Sequence, residues 1–321
     1  MTILADARAL LAEGPLCDAC LGRVFAQLSH GLTNADRGRA LRVTLALADD
    51  EPFEPFEDRC WVCEDLCADP DAWAERAATA IGDVELETYQ VGTRVPPLIE
   101  ENDRLLREAA GLPADAGEAF KSDCNREVGR RLGPLVDATV DFERPDVLVI
   151  LDLATDDVEV QVNPAFVYGR YRKLERDIPQ TEWPCRECGG SGTRRGAPCD
   201  HCGGSGYLYE HSVEGYVAPH VEDAMAGAEA VFHGAGREDV DARMIGEGRP
   251  FVVEVKEPRR RFPDLDDLTE AINEHADGAV EVRNLTFATH EMVERVKELD
   301  ASKTYRATVE FAADVDVENF R

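Results

Sequence analysis

Apolar residues recur at helical spacing over 2–12 and about 33–49, and Thr33 or Asn34 stands where an N-cap belongs. Asp69-Pro70-Asp71-Ala72 opens a further short helix running to about Ile81. A strand pattern follows at 83–91, and 97–109 and 116–132 read as helices. The run DVLVILD at 146–152 is that of a buried strand. In 157–163, Val158, Val160 and Val162 alternate with Glu159 and Gln161, as in a strand with one wet face. Farther on, Phe251–Lys256 predicts a strand ended by Pro258, 264–277 an acidic helix and 279–287 another strand. Met292, Val293, Val296 and Leu299 give one helix an apolar face, and Tyr305, Ala307, Val309 and Phe311 share one face of a strand.

This order describes an α+β protein. Its expected divisions are a helical module over 1–82, an α+β domain over 83–180, a cysteine-rich insert over 181–207 and a third region over 208–321. No run of eighteen or more apolar residues is present, and the N-terminus lacks the basic start and apolar stretch of a signal peptide. A cytoplasmic monomer with no membrane partner is expected.

Charge sharpens the picture of habitat. Acidic residues number 65 against 35 basic, a net charge of −30, and lysine occurs only at positions 121, 173, 256, 297 and 303. Acid spread along a lysine-poor chain fits a high-salt cytoplasm. The Debye length there is about 3 Å or less, so long-range repulsion of a nucleic acid is screened.

Ten cysteines in a cytosolic chain point to metal before disulfides. Eight form Cys-x-x-Cys pairs: Cys17/Cys20, Cys60/Cys63, Cys185/Cys188 and Cys199/Cys202. Two such pairs complete a tetrahedral four-thiolate zinc site, and a closed site of that kind is structural. Cys67 and Cys124 read as ordinary buried thiols. Two stretches, Cys185-Arg-Glu-Cys188-Gly-Gly-Ser-Gly and Cys199-Asp-His-Cys202-Gly-Gly-Ser-Gly, are similar to the zinc-binding repeat of DnaJ-type co-chaperones, but the accompanying His-Pro-Asp is absent. The repeat therefore indicates a metal knuckle rather than a chaperone.

Two basic islands interrupt the acidity. Arg170, Arg172, Lys173 and Arg176 interleave with Tyr168 and Tyr171, a combination that grips phosphate and stacks on bases. Arg259, Arg260 and Arg261 form the second. The densest cluster of candidate chemistry runs from His233 to Phe251, where Gly234, Gly236, Gly246 and Gly248 permit close backbone approach. Arg237, Arg243 and Arg249 can pair with phosphate or keep a carboxylate ionised. This reads as an anion or nucleotide site with a poised carboxylate, and it matches neither a P-loop nor a Rossmann fingerprint.

Gly236-Arg-Glu-Asp-Val-Asp241, followed by Gly246-x-Gly-Arg-Pro-Phe251, resembles the active-site segment of the archaeal and eukaryotic tRNA pseudouridine synthases acting on T-loop uridines 54 and 55. Phe120–Gly129, Tyr168–Lys173, Pro179–Cys185, Ser212–Gly215 and Lys303–Tyr305 agree in order, so the resemblance covers nearly the whole chain. It implies an N-terminal zinc-bearing, THUMP-like RNA-binding region followed by a mixed α/β pseudouridine synthase domain. It implies tRNA as partner, structural zinc, and no redox or small-molecule cofactor for catalysis. Asp239 becomes the nucleophile. Arg237 becomes the group that holds it ionised and contacts RNA near a flipped uridine, and Tyr305 stacks on the target base and helps take the proton from carbon 5. Asp241 is the rival nucleophile if 239–241 is extended, because the two would share a face. Substrate contacts are expected from Arg170, Tyr171, Arg172, Lys173, Arg243, Arg249, Arg259 and Arg260. Members of the family continue with a further basic segment, so the catalytic domain is expected to be incomplete beyond Arg321. A non-catalytic zinc-containing RNA-binding protein is the competing reading.

Overall fold

The computed structural model describes residues 2–236, 238–299 and 304–310. These form two compact units. One runs to Val167 and also takes Val217–Val231 and Val253–Ala271; the other takes the rest of the described residues.

The first unit begins with α1 (Ile3–Ala12), α2 (Asp18–Arg23), α3 (Asn34–Asp49) and α4 (Pro70–Ile81). Local chemistry sets their starts. Thr33 and Asp36 exchange side-chain and backbone hydrogen bonds in a capping box before α3. Asp69 caps α4, with Pro70 at the first helical position where its missing N–H costs nothing. α2 and α3 approach backbone to backbone: a Cβ on Gly22 would lie 1.8 Å from the Asn34 carbonyl oxygen. β1 (Thr88–Arg94), α5 (Pro97–Ala109), α6 (Phe120–Val136), β2 (Thr139–Val140), β3 (Val147–Asp152) and β4 (Asp157–Val162) follow. Their sheet has the order β2-β1-β3-β4, with β1 parallel to β2 and β3 and β4 antiparallel to β3. α5 and α6 supply the crossover that a parallel β1–β3 pair requires.

One apolar cluster runs from Ala7 to Leu153 and includes Trp73 and Ile81 of α4, Val128 and Leu132 of α6, and Val147, Val149 and Leu151 of β3. The boundary expected at 82 therefore does not separate two cores. β1 starts at Thr88 rather than 83 because the segment before it is engaged elsewhere: the Glu85 carboxylate accepts from the backbone N–H groups of Arg261 (2.6 Å) and Phe262 (3.1 Å).

The remaining elements are β5 (Ala165–Lys173), β6 (Thr193–Arg194), β7 (Ala197–Pro198), α7 (Val213–Met225), β8 (Glu229–Gly234), β9 (Met244–Lys256), α8 (Leu265–His275), β10 (Val280–Ala288) and α9 (His290–Glu298). A second four-stranded sheet has the order β10-β5-β9-β8. The segment expected to be a basic island closing a domain is thus an inner strand. Ala165, Val167, Tyr171 and Lys173 take its buried face, while Arg170 and Arg172 take the half-exposed one. β9 begins at Met244 rather than Phe251. Residues 304–310 form no strand, and Tyr305 is 66% exposed; Phe311 lies outside the described residues. No helix among the described residues is long and apolar enough to cross a membrane.

Candidate active site and metal centres

The end of β5 fixes the turn that carries Asp239. Lys173 is fully buried, and its ammonium donates to three backbone carbonyls: Ile178 (2.8 Å), Asp239 (3.0 Å) and Val240 (3.0 Å). Arg176 donates to the Asp241 carbonyl at 3.0 Å, and the Asp177 N–H to that of Val240 at 2.9 Å. Burial lowers the Lys173 pKa, opposed by the carboxylates of Glu238, Asp241, Asp177 and Asp239. The backbone of 239–241 is therefore held from one side while the Asp239 and Asp241 residues remain exposed. Val240 and Asp241 lie in a turn, not an extended stretch, so the shared strand face expected for the two aspartates is absent.

Glu238, one residue earlier, is buried. Its two carboxylate oxygens accept from the Tyr171 hydroxyl at 2.8 and 2.9 Å, and one of them pairs with the Arg249 guanidinium at 2.9 Å. The Gln180 amide donates to the Tyr171 oxygen at 2.9 Å. Burial and then the Glu238 charge push the Tyr171 pKa up, keeping the phenol a neutral donor. Phe232 and Phe251 stack at 5.2 Å between centroids and flank the Tyr171 ring at 6.3 and 6.2 Å. Glu238 thus points into a closed polar knot while Asp239 turns outward.

Several expected RNA contacts take a different place. Tyr171 and Lys173 are wholly buried and Arg249 nearly so, and all three hold the Glu238–Val240 turn; in this arrangement none can stack on a base or grip a phosphate. Arg170 donates to the carbonyls of Glu247 (2.9 Å) and Gly248 (2.7 Å), and Arg172 pairs with Glu281. Arg243 is exposed. Arg259, paired with Asp83, and Arg260 are exposed and belong to the first unit, whereas Arg261 is buried against Asp146 at 2.9 Å. Arg237 and Lys303 lie outside the described residues. Sequence reasoning missed Glu238 and Gln180 as parts of the site, and it placed Arg176 in a phosphate-gripping island rather than on the Asp241 carbonyl. The alternation of Val167, Gly169, Tyr171 and Lys173 was the available signal, since it puts Tyr171 and Lys173 on the face opposite Arg170 and Arg172.

The eight paired cysteines gather into two groups of four, with all sulfurs in each group within 4.8 Å of one another. Four thiolates about 2.3 Å from a tetrahedral zinc stand about 3.8 Å apart. The Cys17–Cys63 and Cys188–Cys202 sulfurs are each separated by 3.8 Å, so both groups fit zinc. In the first, the Cys17 N–H donates to the Cys60 sulfur (3.3 Å) and the Cys20 N–H to the Cys17 sulfur (3.4 Å), as thiolates require. The buried Arg23 guanidinium lies 3.5 Å from the Cys20 sulfur and pairs with Asp103 at 2.8 Å and Asp123 at 3.8 Å, placing a buried cation beside one thiolate. In the second group the two repeats clasp each other. The Cys185 N–H donates to the Gly206 carbonyl (2.7 Å), and the Cys199 N–H to that of Gly192 (2.8 Å). Gly192 and Gly206 have φ of +66° and +86°, and a Cβ on either would meet a backbone oxygen of the other repeat at 2.4 Å.

Residues 73–152 match the family model of the archaeal Pus10 THUMP domain, and 166–321 that of the Pus10 C-terminal region. Proteins described as tRNA pseudouridine synthase Pus10 align along almost the whole chain. That of Halorubrum lacusprofundi is 65% identical over 99% of this chain and 75% of its own length. That of Methanothrix thermoacetophila is 39% identical over 99% and 75%, and that of Pyrococcus furiosus 38% identical over 96% and 71%. The archaeal THUMP segment, the C-terminal match and these identities together place the chain in the Pus10 family of tRNA pseudouridine synthases.

Proposed function

We propose that this chain converts uridine to pseudouridine in the T-loop of tRNA, at positions 54 and 55, with Asp239 as the nucleophile. One observation carries the reading. Asp239 is exposed on a turn whose backbone carbonyls are gripped by Lys173 and Arg176 and whose preceding side chain, Glu238, is locked inside. A catalytic carboxylate presented on so constrained a turn loses little conformational freedom on meeting its substrate.

The reaction breaks the bond between the ribose anomeric carbon and uracil nitrogen 1 and joins that carbon to uracil carbon 5. Carbon 5 gives up its proton and nitrogen 1 gains one, so no redox partner is needed. Asp239 supplies covalent assistance to a uridine flipped out of its stack. Arg237 keeps the carboxylate ionised, and Tyr305 stacks on the base and assists proton removal. Arg243, Arg259 and Arg260 are exposed cations suited to phosphate, and Arg170 and Arg172 are half-exposed. Tyr171, Lys173 and Arg249 act instead as positioning residues for the turn. Zinc at either four-cysteine group has a purely structural part, because four thiolates leave no open coordination position.

Unmodified tRNA transcript incubated with the zinc-loaded protein in high salt, followed by chemical mapping of pseudouridine, tests the proposal. Wild type should give product at the two T-loop positions, and Asp239→Ala should lose roughly 10⁴-fold or more in rate. Wild-type rate in Asp239→Ala, with loss in Asp241→Ala alone, moves the nucleophile. Absence of product from correctly folded wild type, with tRNA binding intact, leaves a non-catalytic RNA-binding protein.

A further inference from the structure

The second unit holds a pocket of about 150 Å³ that catalysis does not use, beside the base of the Cys185–Cys202 knuckle. The knuckle closes where Pro184 and Tyr207 form an isolated bridge and the Leu208 N–H donates to the Trp183 carbonyl at 2.9 Å. Trp183, Tyr207 and Tyr209, next to that closure, line the pocket. Trp183 and Tyr209 meet edge to face with centroids 5.5 Å apart. Tyr216 also lines the pocket, with His211 stacked on it at 5.2 Å and His275 edge-on at 5.5 Å.

The carboxylates lining it are Glu182 and Glu210, both exposed, and among the described residues no lysine or arginine lines the pocket. The Ser212 hydroxyl oxygen already accepts from the Gly215 N–H at 2.8 Å, and the Tyr207 hydroxyl is bonded to Glu182. Such a pocket offers ring faces and negative charge. An anion or a phosphate ester is repelled. A neutral apolar group gains the ring contacts but leaves the carboxylates unmatched. A cation with an apolar surface satisfies both, because ring quadrupoles and carboxylates attract it without requiring it to donate hydrogen bonds. A cavity near this volume accommodates a group the size of benzene, enough for one alkylammonium head.

We infer that this pocket is a binding site for a small organic cation of the quaternary-ammonium class. The site is distinct from the Asp239 turn in its residues and charge, and it stands whether or not Asp239 is the nucleophile. Pro179 and Glu182 line the pocket, and Gln180 between them donates its amide to the Tyr171 oxygen at 2.9 Å.

Tetramethylammonium titrated into the zinc-loaded full chain at constant chloride and ionic strength, followed through the proton resonance of its methyl groups, tests the inference. Ring currents should move that resonance upfield in a saturable way with millimolar affinity, while the neutral isostere tert-butanol should show no saturable shift. Tyr209→Leu should weaken binding roughly tenfold. Glu210→Gln, an exposed change that leaves the fold alone, should weaken it about threefold. No saturable shift overturns the inference. Equal binding of tert-butanol, or unchanged affinity in Glu210→Gln, shows an apolar cavity and overturns it as well. Displacement of tetramethylammonium by guanosine of higher affinity overturns it in favour of a base-stacking pocket.

Discussion

The first four-cysteine group joins the start of α2 to a turn about forty residues away, and three of its four cysteines are buried in the main apolar cluster. The second is assembled within Cys185–Cys202 from two glycine-rich turns, and half of its ligands are only partly buried. In the first, metal and apolar core share residues: Cys20, Cys60 and Cys63 pack beside Leu16, Leu21 and Val62. In the second, hydrogen bonds between the two repeats and the thiolates themselves are what hold the turns. The same ligand set thus closes a long loop over a core in one place and makes an autonomous knob in the other. Energy released by zinc binding would be folding energy in both, but spread over a whole unit only in the first.

The contrast can be pressed experimentally. Cys20→Ser should cost roughly 5 kcal/mol or more, since apparent zinc binding energies of structural sites run to about 10–16 kcal/mol; thermal melts read by circular dichroism measure it. If Cys202→Ser lowers the melt as much, the contrast is broken. Arg23→Met should come next, at about 3–5 kcal/mol, because it removes the buried cation shared by the Cys20 sulfur, Asp103 and Asp123 and leaves Asp103 with Arg107 alone. Gly22→Ala forces a Cβ into the Asn34 carbonyl and should cost about 3 kcal/mol through displacement of α2 from α3. Gly196→Ala, at φ +82° with open space around it, should cost only about 1 kcal/mol of left-handed strain. Smallest on the global melt is Cys202→Ser, at less than about 1 kcal/mol. Its signature should be faster amide exchange confined to 184–208, and exchange spreading to β5 would show the knob is not autonomous.

The first unit was legible where local signals were unopposed. The helix expected over 97–109 is α5 to the residue; of Thr33 and Asn34 it is Thr33 that caps α3, and the helix expected to open at Asp69-Pro70 is α4, capped by Asp69. The buried strand at 146–152 and the wet-faced one after it pair as β3 and β4. The cysteine pairs announced both metal groups because Cys-x-x-Cys spacing is a local property. The second unit was harder. β5 carries Arg170, Arg172 and Lys173 in its last four residues, and the eye follows charge before alternation. Lys173 can sit inside only because three carbonyls from 178–240 meet it, and no short window of sequence contains that arrangement. Glu238 was hidden for the same reason: its partners are Tyr171 and Arg249, far away in the chain. The family resemblance supplied Asp239, but its presentation on a turn, with Glu238 facing inward, came from tertiary structure.

Lys173 has a practical consequence. Lysine has been nearly emptied from this chain, and Lys121, Lys256 and Lys297 are exposed, yet one ammonium is kept at full burial beneath the turn. Amine-reactive labels should therefore mark the exposed lysines quickly and Lys173 last. Its rate of acylation, read peptide by peptide in a mass spectrometer, would serve as a built-in gauge of whether the floor under Asp239 is open or shut.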